Sequence, residues 1–148
     1  MAPLSVPLRR AVLAAALVTA ALGVFAQGAL PAPQRGAGGV EYVTGGVGSD
    51  EAKAFDAAAA QWPLALEFAV TGGAFAADVQ VTLRDAQGRT VLEAVSGGPF
   101  LLARVAPGAY EAQAVLKGRA QRRQVTVRAG ASTRAVFTWP AEAGDAAR

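Results

Sequence analysis

Residues 96–110 read SGGPFLLARVAPGAY, the most distinctive stretch of the sequence. Pro107 presets the backbone for a tight turn, and Gly108 can adopt the positive φ that such turns often need. Phe100 begins a short apolar run before the turn. After the turn, the ring of Tyr110 is large enough to pack in a hydrophobic core while its hydroxyl reaches a backbone acceptor. We therefore predict two strands joined here, with Phe100, Pro107, Gly108 and Tyr110 as the structural residues of turn and core.

The same pattern extends outward in both directions. Apolar residues alternate with polar ones in seven short segments, which are residues 64–70, 79–83, 91–95, 100–102, 110–116, 125–127 and 137–139. Turn-forming glycine, proline and aspartate residues separate these segments. Short alternating strands with no helix between them are typical of antiparallel pairing in two packed sheets. The sequence thus predicts a mainly β domain over 63–140, built as a seven-strand antiparallel sandwich.

One short amphipathic helix is predicted ahead of the strands, over residues 49–62. Two acidic residues occupy its first turn, where the exposed backbone N–H groups favour negative charge, and a proline follows its end. One face carries the apolar residues Ala52, Phe55, Ala59 and Trp62. We expect this face to pack on the sandwich, and we expect Trp139 to extend the buried face of the last strand.

Residues 1–26 have the pattern of a secretory signal peptide. Two arginines precede an apolar run over 11–25, and a small residue ends it, which predicts cleavage between Ala26 and Gln27. Cleavage would give a periplasmic or secreted protein. The alternative is an uncleaved segment that anchors the chain in the inner membrane, because a span needs about 20 apolar residues and this run can be extended towards residue 30.

Two further segments are poor in large apolar residues. Residues 27–48 are rich in Gly, Pro and Ala, which predicts a flexible linker. Within it, residues 40–43 read VEYV and could dock as an extended edge segment. Residues 141–148 form a polar end that we expect to be disordered.

The stretch 96–110, followed by Gly118 and the alternating residues 125–127, resembles the carboxypeptidase regulatory-like family. That resemblance implies a prealbumin-like, or transthyretin-like, seven-strand sandwich, in which a glycine and an aromatic residue open one strand and Pro-Gly-x-Tyr opens the next. Residues 70–75 depart from the usual opening strand of the family, which leaves the strand order at that edge open. The resemblance implies a scaffold and no particular activity.

The chain contains neither histidine nor cysteine. This absence removes the usual general base of serine hydrolases, thiol nucleophiles and most zinc and copper sites. The nearest pairs of carboxylates in the sequence are Asp78 with Asp85 and Asp50 with Glu51. Asp85 is better explained as a turn former, and Asp50 and Glu51 as helix-start residues, than as catalytic groups. We therefore expect no enzyme activity, no metal and no cofactor.

The formal charge of +3 includes two arginines of the predicted signal peptide and falls to +1 without them, which does not favour nucleic-acid binding.

Basic residues are concentrated in one segment. Between residues 117 and 134 the chain has six basic side chains and no acidic one, and five of them are Lys117, Arg119, Arg122, Arg123 and Arg128. Two interpretations stay open. The charges protect a sheet edge from pairing with other proteins, or they bind an anionic partner such as a lipid head group, lipopolysaccharide or an acidic protein.

Together these features predict a non-enzymatic binding or adapter module in the periplasm that engages a protein, a glycan or the cell-envelope surface. The alternative is a structural component of the envelope that is held in the membrane by its uncleaved N-terminal segment. Anchoring in a membrane is expected only in that second case.

Overall fold

The computed structural model describes residues 30–72 and 76–141 of the 148-residue chain. The predicted signal peptide, its cleavage point between Ala26 and Gln27, and all but the first residue of the predicted C-terminal tail lie outside these residues. The described part is mainly β, with one α-helix, α1 (Ser49–Ala58), which continues into a 3-10 turn over Ala59–Gln61. No helix of this part is long and apolar enough to cross a membrane. The nine strands of the described residues are β1 (Gln34–Arg35), β2 (Glu41–Gly45), β3 (Leu64–Val70), β4 (Gln80–Asp85), β5 (Thr90–Val95), β6 (Phe100–Arg104), β7 (Gly108–Leu116), β8 (Arg119–Val127) and β9 (Thr133–Trp139).

The strands form two sheets that share one hydrophobic core. The first sheet has five strands in the order β1-β2-β6-β3-β9, and the second has four in the order β5-β4-β7-β8. Buried side chains from both sheets belong to a single cluster, to which β3 contributes Leu66 and β7 contributes Leu116. At its centre, the rings of Phe68, Phe137 and Trp139 contact one another with centroids between 5.8 and 6.3 Å apart.

Strand number and strand direction differ from the sequence prediction. The seven predicted segments correspond to β3 through β9, but β1 and β2 are added within 27–48, where composition predicts a flexible linker and only residues 40–43 are predicted to dock as an extended segment. Strand β2 pairs with β6 along its whole length, and its Val43 is buried. Strands β3 and β9 are parallel, not antiparallel. Five strands lie between them in the chain, so no tight turn fixes their relative direction.

Helix α1 covers the outer face of the five-stranded sheet. Phe55 is fully buried and stacks on Phe100 of β6, with ring centroids 5.8 Å apart. The same cluster also contains Val43, Ala59, Trp62, Ala65 and Leu102. Because the other face of this sheet packs in the shared core, β6 is buried on both faces. This explains why residues 100–103 are continuously apolar instead of alternating.

Candidate functional site

Two sheets that share one core have two open sides, where an edge strand of one sheet lies near an edge strand of the other. On the side of β5, the segment between β1 and β2 closes this gap: Ala37 forms an antiparallel bridge with Glu93 of β5. Gly38 has a φ of 94°, and a Cβ atom added there would overlap the backbone of Val91. Glycine at this position therefore allows the segment to lie directly on β5.

The opposite side, between β8 and β9, holds a groove of about 630 Å³. Residues 123–126 of β8 line one wall, and residues 133–136 with Thr138 of β9 line the other. Strand β8 is an edge of the four-stranded sheet and β9 is an edge of the five-stranded sheet. The groove therefore runs along two strand edges that do not pair with each other.

Hydrogen bonds from side chains to backbone close the two ends of the groove. At one end, the hydroxyl of Thr133 donates to the carbonyl oxygen of Thr126 at 2.7 Å. At the other end, Nε2 of Gln121 donates to the carbonyl oxygen of Thr138 at 2.7 Å. The indole N–H of Trp139 donates to the carbonyl oxygen of Arg119, the first residue of β8, at 3.0 Å. These bonds hold the two edge strands together at both ends and leave the middle of the groove open.

The free edge of β9 presents backbone hydrogen-bonding groups to the groove. The N–H of Thr133 and the carbonyl of Trp139 bond to residues that flank β3, so the odd-numbered residues of β9 face β3. Because the backbone groups of a strand alternate between its two edges, those of Arg134, Val136 and Thr138 face the groove. Among the described residues, no hydrogen bond reaches the backbone of Val136 from that side, and its side chain is 39% exposed.

The predicted basic patch is divided between two faces of β8. Val125 and Val127 are buried in the core, so the odd-numbered side chains of this strand face inward. Arg123 has the same direction, and its guanidinium carbon lies 5.7 Å from the ring centroid of Phe137, at the groove. Arg122 points to the opposite face of the sheet.

The other three residues of the predicted patch lie near the ends of β8. Lys117 is in the turn before the strand, Arg119 begins the strand, and Arg128 follows its last residue. A strand of this length spans about 30 Å, so these charges do not form one compact surface. Among the described residues, no carboxylate pairs with Arg119, Arg122, Arg123 or Arg128, whereas Arg134 at the groove pairs with Asp56 of α1 at 2.9 Å.

A smaller cavity of about 370 Å³ lies beside the turn between β4 and β5, where Asp85 and Tyr110 contribute to its lining. The carboxylate of Asp85 accepts the backbone N–H groups of Arg89 and Gln87 at 2.9 and 3.0 Å. The bond from the Arg89 backbone is the main cause that lowers the pKa of Asp85. Burial, followed by the charge of Asp85, raises the pKa of Tyr110. Both groups are thus engaged in holding turns.

The remaining candidates from the sequence do not converge on a reactive centre. Asp85 is the last residue of β4 and Asp78 lies two residues before its start, so the two carboxylates are on the order of 20 Å apart. Glu51 accepts the backbone N–H of Gly46 at 3.0 Å, next to the start of α1. Within residues 30–72 and 76–141, no three Asp or Glu residues form a group that could hold a metal ion.

The two tryptophans are core residues, not exposed platforms for sugar rings. Trp62 is 5% exposed and Trp139 is 1% exposed. The guanidinium carbon of Arg104 lies 4.1 Å from the ring centroid of Trp62, and the same side chain approaches Glu41 at 3.8 Å. Trp62 is therefore covered by a cation–π contact as well as by its hydrophobic neighbours.

The β9 wall of the groove is not among the candidate site residues predicted from the sequence. The sequence feature that could indicate this wall is Val136, a large apolar residue in an outward-facing series that is otherwise polar. The series is Arg134, Val136 and Thr138. That signal is weak in isolation, because single apolar residues on a surface are normal. Only the position of β9 at a sheet edge gives it significance.

No model of a known protein family matches this chain, and no curated protein is similar to it at a significant level.

Proposed function

We propose that this chain is a non-enzymatic binding module of the periplasm that recognises a partner through the groove between β8 and β9. The observation that carries the proposal is the contrast between the two open sides of the structure. One side is covered by the chain itself through the Ala37–Glu93 bridge, whereas the other keeps an open groove. Edge strands that are left accessible are the places where proteins add a further strand or bind a ligand.

The scaffold of this module is, in the proposal, a prealbumin-like sandwich of the carboxypeptidase regulatory-like type. Strands β3 to β9 are seven in number, and they divide as three and four between two sheets with a common core. The Pro-Gly-x-Tyr turn leads into β7, and the Tyr110 hydroxyl bonds back to Ala106. In this scheme, β1, β2 and α1 are additions to the seven-strand sandwich. The segment with β1 and β2 covers the side next to β5, and α1 covers the outer face of the five-stranded sheet.

Export to the periplasm rests on the sequence of residues 1–26, with their apolar run and the small residue before Gln27. The intact mass of the protein recovered from the periplasmic fraction tests it. A mature chain that starts at Gln27 supports the exported module. A full-length chain that resists carbonate extraction from membranes would instead support the anchored envelope component.

Site-specific photo-crosslinking tests the recognition surface. A photoreactive amino acid replaces Val136 in one variant and Val95 in a control variant; Val95 is 55% exposed and lies on β5, the edge strand at the closed side. We expect the Val136 probe to form a defined adduct in producing cells and the Val95 probe to form none. The adduct partner is then purified, and its binding is measured directly. Adducts from Val95 alone, or equally from both positions, would contradict the proposal.

A further inference from the structure

We infer that the groove takes an extended acidic segment of a partner protein, which adds as a strand to the free edge of β9. This inference rests on the proposed function, because it names the chemistry of the partner at the same groove. Its first basis is the backbone of β9. The groups of Val136 that face the groove have no partner among the described residues, and those of Arg134 lie on the same edge. An extended peptide satisfies such groups with its own backbone.

The second basis is the alternation of side chains in an added strand. One set of its side chains would lie on the outer face, beside the exposed Val136, and the other set would face β8. On the β8 side the groove carries Arg123, which has no carboxylate partner in the described part of the chain. An apolar residue suits the first position and a carboxylate suits the second, where a charge-assisted hydrogen bond with the guanidinium can form. The expected pattern is therefore alternating apolar and acidic residues.

The charge of the groove also favours a partner protein over a second copy of this chain as its occupant. Two copies that paired through this edge would bring their own basic segments together. Residues 117–134 contain six basic side chains and no acidic one. Like charges across a paired edge are destabilising, so the groove favours an acidic partner over self-association.

Fluorescence anisotropy with a defined probe tests the inference. The probe is a short, end-blocked, fluorescein-labelled peptide of alternating valine and glutamate. Control peptides replace glutamate by lysine or by glutamine, and a further control carries N-methyl groups on its backbone. We expect the glutamate peptide to bind, the lysine peptide to lose binding, and the N-methylated peptide to bind at least about tenfold more weakly, since its backbone can no longer donate.

Two pairs of variants locate the binding. Arg123→Gln and Arg122→Gln make the same change of charge at neighbouring positions, but only Arg123 faces the groove. We expect roughly a tenfold loss of affinity for the glutamate peptide with Arg123→Gln and less than about twofold with Arg122→Gln.

Val136→Pro removes an N–H from the free edge of β9, and Val95→Pro makes the same substitution on β5. Proline is tolerated at sheet edges, and urea unfolding checks that each variant is folded.

Several results would overturn the inference. These are equal binding of the lysine peptide, equal losses with Arg122→Gln and Arg123→Gln, no binding of the glutamate peptide, or dimerisation through the β9 edge. Binding to phosphatidylglycerol vesicles that Arg123→Gln abolishes, with no peptide binding, would also overturn it in favour of a lipid surface. If the peptide fails while the Val136 crosslink forms, the acidic-strand inference fails and the proposed function stands. If the crosslink maps to Val95, both fail.

Discussion

The hydroxyl of Tyr110 donates a hydrogen bond of 2.6 Å to the backbone carbonyl oxygen of Ala106, across the turn formed by Pro107 and Gly108. The ring of Tyr110 is buried, with 7% of the residue exposed, and belongs to the core that both sheets share. One side chain thus links the turn after β6, the start of β7 and the core. This arrangement fixes the position of the turn relative to the core.

Removal of this hydroxyl should reveal its contribution. We expect Tyr110→Phe to lower the free energy of unfolding by about 1 kcal/mol, because the Ala106 carbonyl loses its donor while the ring remains. Tyr110→Ala should cost about 3 to 5 kcal/mol, as truncation of a large core ring does. Urea denaturation measures both. Tyr42→Phe is the matched control, since the Tyr42 hydroxyl bonds only to an exposed Gln34 at 3.2 Å; an equal effect at Tyr42 would contradict the account.

The closed side of the structure depends on Gly38. We expect Gly38→Ala to release the segment around Ala37 from β5, because a Cβ there would overlap the backbone of Val91. The control is Gly39→Ala, where φ is also positive but no atom lies within 4 Å of the added Cβ. Limited trypsin digestion after Arg35 measures the release. Faster cleavage in Gly38→Ala than in Gly39→Ala is expected, and equal rates would show that close packing on β5 is not the reason for the glycine.

Acid should weaken the turn between β4 and β5. Hydrogen bonding, first from the Arg89 backbone, lowers the pKa of Asp85 below its ordinary value of 3.8. A carboxyl group whose pKa is lower in the folded state contributes stability above its unfolded value, and this contribution is lost as the pH falls through the folded value. We therefore expect wild type to lose more stability than Asp85→Asn when the pH falls below 3.8. Urea midpoints measured across the acid range test this, and parallel curves would contradict it.

Helix α1 should depend on one ring for its attachment. Phe55 is fully buried and stacks on Phe100, so we expect Phe55→Ala to lower the free energy of unfolding by about 3 to 5 kcal/mol. Lys53→Ala, on the exposed face of the same helix, should change it by less than about 0.5 kcal/mol. Thermal or urea unfolding measures both. A small effect at Phe55 would mean that the helix is not a packed part of the fold.

Local patterns in the sequence were sufficient to locate strands β3 to β9 and the apolar face of α1. Alternation marks a strand with one buried face, and the spacing of Phe55 and Trp62 marks the buried face of a helix. The bond made by Tyr110 also follows from local chemistry, because its acceptor lies four residues before it in the same turn. In each case the neighbours that decide the structure are close in the chain.

The parts that could not be predicted depend on contacts distant in sequence. Glycine-rich composition around Gly36 and Gly38 is also typical of linkers, and only the approach to β5 shows that these glycines permit close packing. The parallel direction of β9 and its place beside β3 were likewise set by the whole topology. The basic residues of β8 could be identified from sequence, but their division between two faces, with Arg123 at the groove, required the register of the strand.

If a partner occupies the open groove, it should pair with the free edge of β9. Residue-resolved amide hydrogen exchange, with and without the purified partner captured at Val136, tests it most directly. We expect slower exchange for the N–H groups of Arg134 and Val136 when the partner is bound, with exchange of the Val95 N–H on β5 unchanged. Protection along β5 with none on β9 would contradict it.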